Sequence, residues 1–285
     1  MTTYSTTGPI TATIQLAHGD VRIEADDRQD VVVDVTPTLP THQPDVDAAE
    51  QTRVEFADGV LRITGAKGRG VAMLRKPGSV QIIVNVPTGS NLVAETGLGR
   101  ITTKGLLGAC RVRSGAGDVL LQDAGSLDVV TGFGGISAGH VAGDASCVTG
   151  SGGVRIAQVD GSMTVRNSNG ETWLGAVGNA VKVKASNGSV VVDRAQGDVK
   201  VATANGDLRV GSAEGGILDL RTAMGRIEVG VPEGTAARLD VHTSFGAVVN
   251  ELEPTDRPQP DEAIVTMSAR TSAGDIVIHR APADT

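Results

Sequence analysis

The chain has 285 residues, of which 40% are hydrophobic but only 2% aromatic, with 38 glycines and a formal charge of −8. So few aromatics exclude a thick core, so the interior must be thin and filled by Val, Ile, Leu and Ala. The acidic balance argues against nucleic acid or an anionic membrane as partner, since both need basic patches, and no run approaches the ~18 apolar residues of a membrane span.

Residues 1–95 carry no fixed repeat. Alternating apolar positions predict strands over 10–16, 21–24, 31–35, 53–56, 60–63 and 80–86. Residues 44–52 read as a short helix with Asp45 near its start, and residues 66–77, AKGRGVAMLRKP, as a glycine-rich basic loop. This part is expected to form an irregular β-rich N-terminal cap and the first coils. The opening twenty residues have neither a positive start nor an apolar stretch, so no signal peptide is predicted. Two cysteines, Cys110 and Cys147, fit a reducing compartment, and the expected location is cytoplasmic.

From residue 96 a repeat takes over. Gly99, Gly117, Gly134, Gly152, Gly170, Gly188, Gly206, Gly225 and Gly246 follow one another at steps of 17 to 21, mostly 18. A second glycine series, from Gly108 to Gly234, falls midway, so the 18-residue unit has two halves of nine. Each half is a glycine turn followed by alternation, as in Val181 and Val183, Val190 and Val192, or Val199 and Val201. A period of two is a strand with one buried face. Helices are excluded, because each interior glycine would cost about 0.5–1 kcal/mol.

Strands that return every 18 residues pair with their own copies in the next coil. The predicted fold is therefore all-β, a parallel β-solenoid, with the right hand favoured for parallel crossovers. The nine-residue half separates it from hexapeptide helices; a two-sided or a triangular cross-section fits equally. One coil cannot bury its own apolar face, so coils must stack and the ends need caps. Regular coils are expected over 96–250. A proline-rich excursion follows over 253–262. Residues 251–285 are expected to end in a closing strand pair, TSAGDIVI, with a loop shielding the open edge. The three segments are expected to form one continuous domain.

Turn chemistry agrees. Asn169-Gly170, Asn187-Gly188 and Asn205-Gly206 put Asn-Gly at one turn of three successive coils. Both residues tolerate positive φ, and stacked asparagines form amide ladders. Asn167, Ala185 and Thr203, echoed by Thr96, Ser114, Thr131, Thr149, Thr222, Thr243 and Thr271, mark a mainly Ser/Thr column three residues before the corner glycine, which reads as structural.

The segments HGDVRIEADDRQDVVVDVTP, AAEQTRVEFADGVLRITGAKG and SVQIIVNVPTGSNLVAETGLGRI, followed by GAGDV, NSNGET, ASNGSV and TANGDLRV, resemble the β-strand-repeat "putative adhesin" family, domain of unknown function 4097. The Gly, Ala, Val and Asp bias is similar to that of its actinobacterial members. The resemblance covers nearly the whole chain. It implies a β-solenoid without established activity, so it brings no catalytic residue, and its adhesin label implies a surface protein.

Reactive constellations are scarce. Gly117-Asp118, Gly197-Asp198, Gly206-Asp207 and Gly274-Asp275 read as turns rather than calcium sites, because equivalent positions carry Arg100, Gly135, Glu171 and Ser189. The five histidines share no metal-binding spacing; His242 and His279 approach only if the final strand pairs beside the last coil. Cys110 and Cys147 fall at inward positions and read as small buried hydrophobes. One outward column runs Thr102, Leu120, Ser137, Arg155, Trp173, Val191, Arg209, Glu228, and offers no acid/base pair. The other runs Arg111, Asp128, Ser146, Thr164, Lys182, Lys200, Asp219, Asp240, a solvated face of mixed charge.

Leu120, Trp173 and Val191 point outward together and form the candidate interaction surface, unless residues 66–77 or 253–262 cover them. The expected function is a non-catalytic scaffold or protein-interaction module without cofactor or metal, its partner a protein, self or other, without membrane insertion. The alternatives are a bactofilin-like self-assembling protein, and a carbohydrate- or small-ligand-binding module built on Trp173.

Overall fold

A computed structural model describes residues 1–65, 78–253 and 263–282. The two expected loops, 66–77 and all but the first residue of 253–262, lie outside the described residues. The chain divides into two compact units, Met1–His140 and Val141–Thr285.

The first unit holds β1 (Thr2–Ser5), β2 (Thr11–Asp26), β3 (Asp30–Pro37), α1 (Gln43–Gln51), β4 (Arg53–Ala57), β5 (Val60–Thr64), β6 (Val80–Pro87), β7 (Asn91–Leu98), β8 (Ile101–Lys104), β9 (Leu106–Ala116) and β10 (Val119–Phe133), and β11 (Ile136–Val141) ends at its boundary. The two strands expected over 10–24 are one strand, β2, that turns a corner at Gly19 with φ +151°. Its first half lies between β5 and β7, and its second between β6 and β8, all parallel. The first coil of the sequence is thus the second in the stack. Outside it, β4 runs antiparallel to β5, β3 antiparallel to β6, and β1 antiparallel to β3. The regular ladder begins where Leu92 faces Cys110 and Cys110 faces Leu127.

Asp45 ties α1 to this cap. It is buried, and its carboxylate accepts hydrogen bonds from Ser79 N (2.9 Å) and Leu39 N (3.0 Å) and meets His42 Nδ1 at 2.9 Å. The bond from Ser79, then that from His42, outweighs the opposing effect of burial and holds its pKa below the ordinary carboxylate value. A carboxyl whose folded pKa is depressed stabilises above its unfolded pKa and loses that contribution as pH falls through the folded one. Acid titration of wild-type protein should therefore loosen the cap at pH values below the ordinary carboxylate range, read as faster amide exchange of Ser79. Asp45→Asn should exchange fast at every pH; slow, pH-independent exchange in that variant would refute the assignment.

The second unit is built from two parallel ladders. The first contains β12 (Ala145–Ser151), β14 (Met163–Asn169), β16 (Val181–Asn187), β18 (Val199–Asn205) and β20 (Gly216–Met224). The second contains β13 (Val154–Val159), β15 (Thr172–Val177), β17 (Val190–Ala195), β19 (Leu208–Ala213) and β21 (Ile227–Val231). Residues pair with those 18 or 19 further on, so coils lie about 4.8 Å apart. Each coil is two-sided, with one strand per ladder. Cys147, Val165, Val183, Val201 and Leu220 form one buried column; Ile156, Leu174, Val192, Val210 and Val229 form one in the other ladder. These branched chains fill the thin interior that the composition requires.

Corners are fastened from coil to coil. Thr222 Oγ1 donates to Gly206 O at 3.0 Å, Thr271 Oγ1 to Gly225 O at 3.0 Å and Thr243 Oγ1 to Gly274 O at 2.9 Å. At these three corners the hydroxyl three residues before the glycine thus satisfies the carbonyl of the neighbouring corner, which gives the T-x-x-G spacing there a physical reason. The Gly-Asp pairs do the same with acceptors: the Oδ1 atoms of Asp118, Asp198, Asp207 and Asp275 accept from backbone N–H groups of an adjacent coil at 2.8–2.9 Å.

The strands after residue 262 join the ladders, in an unexpected place. β24 (Ala263–Ala273) inserts between β20 and β22 (Thr235–Phe245), and β25 (Ile276–Arg280) between β21 and β23 (Val248–Asn250). The outermost coil is therefore β22–β23. The side chains explain the order. β24 and β25 supply Val265, Met267, Ala269, Ile276 and Ile278, all buried, whereas Asn250 occupies the position facing Ile278. Asn250 is exposed there, so its amide keeps its contact with water at the open end.

Candidate interaction surface

Trp173 stands on β15 with its indole outward and half-buried. The Arg155 guanidinium carbon lies 4.2 Å from the ring centroid, a cation–π distance, because Arg155 and Trp173 are register partners. On the other side Trp173 faces Val191, which in turn faces Arg209. The ring lies along its own strand over Gly175, where a Cβ would come within 3.3 Å of Cη2. A tryptophan thus rests on a bare backbone step, flanked by a cation and a valine. Leu120, in the first unit, faces Thr102 and is 38% exposed. The structure brings Trp173 and Val191 together as register neighbours; Leu120 belongs to another stretch of ladder. Arg155 was legible only as a column member, since stacking on a ring needs side-chain geometry.

Asn169, Asn187 and Asn205 form an amide chain at the end of the first ladder. Asn205 Nδ2 donates to Asn187 Oδ1 and Asn187 Nδ2 to Asn169 Oδ1, both at 2.9 Å. Gly170, Gly188 and Gly206 follow at positive φ, each against the carbonyl of the preceding corner.

The Glu228 carboxylate and the two thiols are occupied or inaccessible. Glu228 is ringed by Arg226 Nη2 (3.4 Å), His279 Nε2 (3.5 Å) and Arg209 Nε (3.6 Å). His242 faces Arg270 on the first ladder and His279 lies on the second, so the two histidines do not converge. Cys110 and Cys147 are buried and form no disulfide, and burial pushes the Cys110 thiol up to about 12, far from a nucleophile's range. In the first unit a depression of about 800 Å³ has Ala17, Gly97 and Gly115 along it, beside Gln15, Glu95 and Arg113. Gln15 donates to Glu95 (3.4 Å) and Arg113 pairs with Asp128 (3.5 Å). No helix among the described residues is long and apolar enough to cross a membrane.

Paired parallel ladders, glycine corners and flat outward faces define a β-solenoid protein. The chain belongs to the Toastrack DUF4097 family, whose profile matches residues 12–281. Similar solved structures include a putative adhesin from Parabacteroides distasonis, at 13% identity over 97% of this chain and 95% of that chain with TM-score 0.33. A putative cell adhesion protein from Clostridium sporogenes is 13% identical over 98% of each chain, with TM-score 0.19. A putative lipid binding protein from Parabacteroides distasonis is 11% identical over 99% of this chain and 96% of that chain, with TM-score 0.33. No curated protein matches the chain. The expected cytoplasmic location is corrected here, since the names of these similar structures, putative adhesin and putative cell adhesion protein, stand against it. Two buried thiols outside any disulfide are chemically compatible with either side of a membrane, so the cysteines do not support the reducing compartment inferred from them.

Proposed function

We propose that the chain is a non-catalytic interaction module that meets a protein partner through the outward face of β13, β15, β17 and β19. One observation carries this reading: the single tryptophan of the chain is held outward on a flat ladder, with Arg155 over its ring and Val191 beside it. Tryptophan and arginine dominate binding hot spots, and a rigid platform loses little entropy on contact. The engaged Glu228 and the buried Cys110 supply no base or nucleophile. The adhesin names of similar structures agree with a contact role.

The test is quantitative crosslinking of the purified protein against surface extracts, wild type beside Trp173→Ala. The variant should keep its melting temperature, because the indole is outward, and lose its principal protein partner by about 30-fold or more. Equal recovery of every partner by both proteins would end this reading.

A second reading rests on a separate observation. Among the described residues β22 and β23 pair on one side only, with β24 and β25. A second copy meeting that edge would extend both ladders, a bactofilin-like assembly. Sedimentation velocity should then show concentration-dependent growth; a monomer throughout the range excludes it.

A further inference from the structure

The first ladder of the second unit presents a face of different chemistry. Its outward positions carry Arg166 on β14, Lys182 and Lys184 on β16, and Lys200 on β18. None of β12, β14, β16 and β18 contains an Asp or a Glu. Lys200 Nζ reaches Asp219 on β20 at 3.2 Å. Arg166, Lys182 and Lys184 have no carboxylate partner among the described residues. The charges that look mixed along the whole column are segregated by strand.

The register makes this arrangement costly. Arg166 lies directly across from Lys184, and Lys182 directly across from Lys200. Like charges opposite one another destabilise a sheet. Elsewhere the same molecule sets opposite charges across its rungs, Lys200 with Asp219 at 3.2 Å and Arg209 with Glu228 at 3.6 Å. A chain of net charge −8 therefore leaves Arg166, Lys182 and Lys184 each across from a cation, with no carboxylate beside them among the described residues. Departures from local consistency of this kind concentrate at functional sites, and the missing component is a counter-anion.

We propose that this face binds a linear acidic polysaccharide with one carboxylate per sugar, its chain lying along the direction in which the coils stack. The cation columns Arg166–Lys184 and Lys182–Lys200 repeat at the coil spacing of about 4.8 Å, close to the length of one pyranose, so successive carboxylates meet successive rungs. Thr164, Ser168 and Ser186 stand on the same side of these strands and offer hydroxyls to the sugar. No aromatic lies on β12, β14, β16 or β18, which removes the stacking that single-stranded nucleic acid requires. None of the exposed large apolar side chains lies on β14, β16 or β18, so nothing there enters a lipid layer. The site is on the opposite ladder from Trp173 and does not depend on it.

The probe is polygalacturonate, titrated into the full chain at low salt. Wild type should bind, with affinity falling as salt rises. Lys182→Glu with Lys184→Glu should weaken binding about tenfold or more, while its melting temperature holds or rises, because each new carboxylate faces a cation. Arg53→Glu with Arg111→Glu, the same charge change in the first unit, should bind as wild type does, and so should Trp173→Ala. Absence of wild-type binding, or equal binding by the Lys182/Lys184 variant, overturns the proposal. So does tighter binding of phosphatidylglycerol vesicles or single-stranded DNA than of polygalacturonate.

Discussion

Replacing Val201 with Asp should unfold the second unit. Val201 is 2% exposed and stacks between Val183 and Leu220 on the rungs of β16 and β20. The interior is only two side chains deep, and the inward column of Val201 runs through Cys147, Val165, Val183 and Leu220, so a carboxylate there finds no cation. Burying an unpaired charge is among the few single changes that exceed about 4–5 kcal/mol, and whole domains are stable by about 5–15 kcal/mol. The failure should spread, since each coil is held by its neighbours on both sides. Urea denaturation followed by far-ultraviolet circular dichroism reads the result. Val191→Asp, on the outward side of the adjacent ladder, should shift stability by less than about 1 kcal/mol. Equal midpoints for the two variants would contradict the inward and outward assignment.

Gly206→Val is expected to cost at least about 3 kcal/mol, combining backbone strain with overpacking. Gly206 has φ +143°, a region closed to β-branched residues. A Cβ there would sit 2.3 Å from Gly188 O and 2.5 Å from Gly188 C. Neither atom can move without shifting the corner below it, which Gly188 N and Asn205 O help hold at 2.9 Å. The control is Gly215→Ala, where the nearest atom is Gln196 O at 4.0 Å; it should change stability by no more than about 0.5 kcal/mol. Similar thermal midpoints for Gly206→Val and wild type would show that the corner has slack.

Much of this is legible in the order of residues alone. The 18-residue step of the corner glycines, the alternation between them and the Asn-Gly turns led to parallel coils, because each is a local consequence of a chain that must repeat its own geometry. The Ser/Thr column was legible as structural, though not that Thr222 and Thr271 serve the carbonyls of a neighbouring corner. Aspartates after glycine read as turn residues; their bonds to the next coil's N–H groups needed atomic positions.

The candidate surfaces show where reading along the chain fails. Trp173 and Val191 are 18 apart and were visible as neighbours, while the Arg155 guanidinium over the ring depends on rotamers. The basic face was averaged away, because a column followed through all coils mixes Lys182 and Lys200 with Asp128, Asp219 and Asp240. Only strand-by-strand register separates them.

The coil, its period, its inward residues and its corners are all written in the order of residues, since they follow from interactions within one repeat and its copies. Tertiary structure alone decided the order of coils at the ends. β2 inserts between β5–β6 and β7–β8, and β24–β25 between β20–β21 and β22–β23. Period-two patterns are alike in every coil, so they do not say which copies adjoin. That choice belongs to whichever coil best fills the interior, and Met267 and Ile278 fill it where Asn250 cannot.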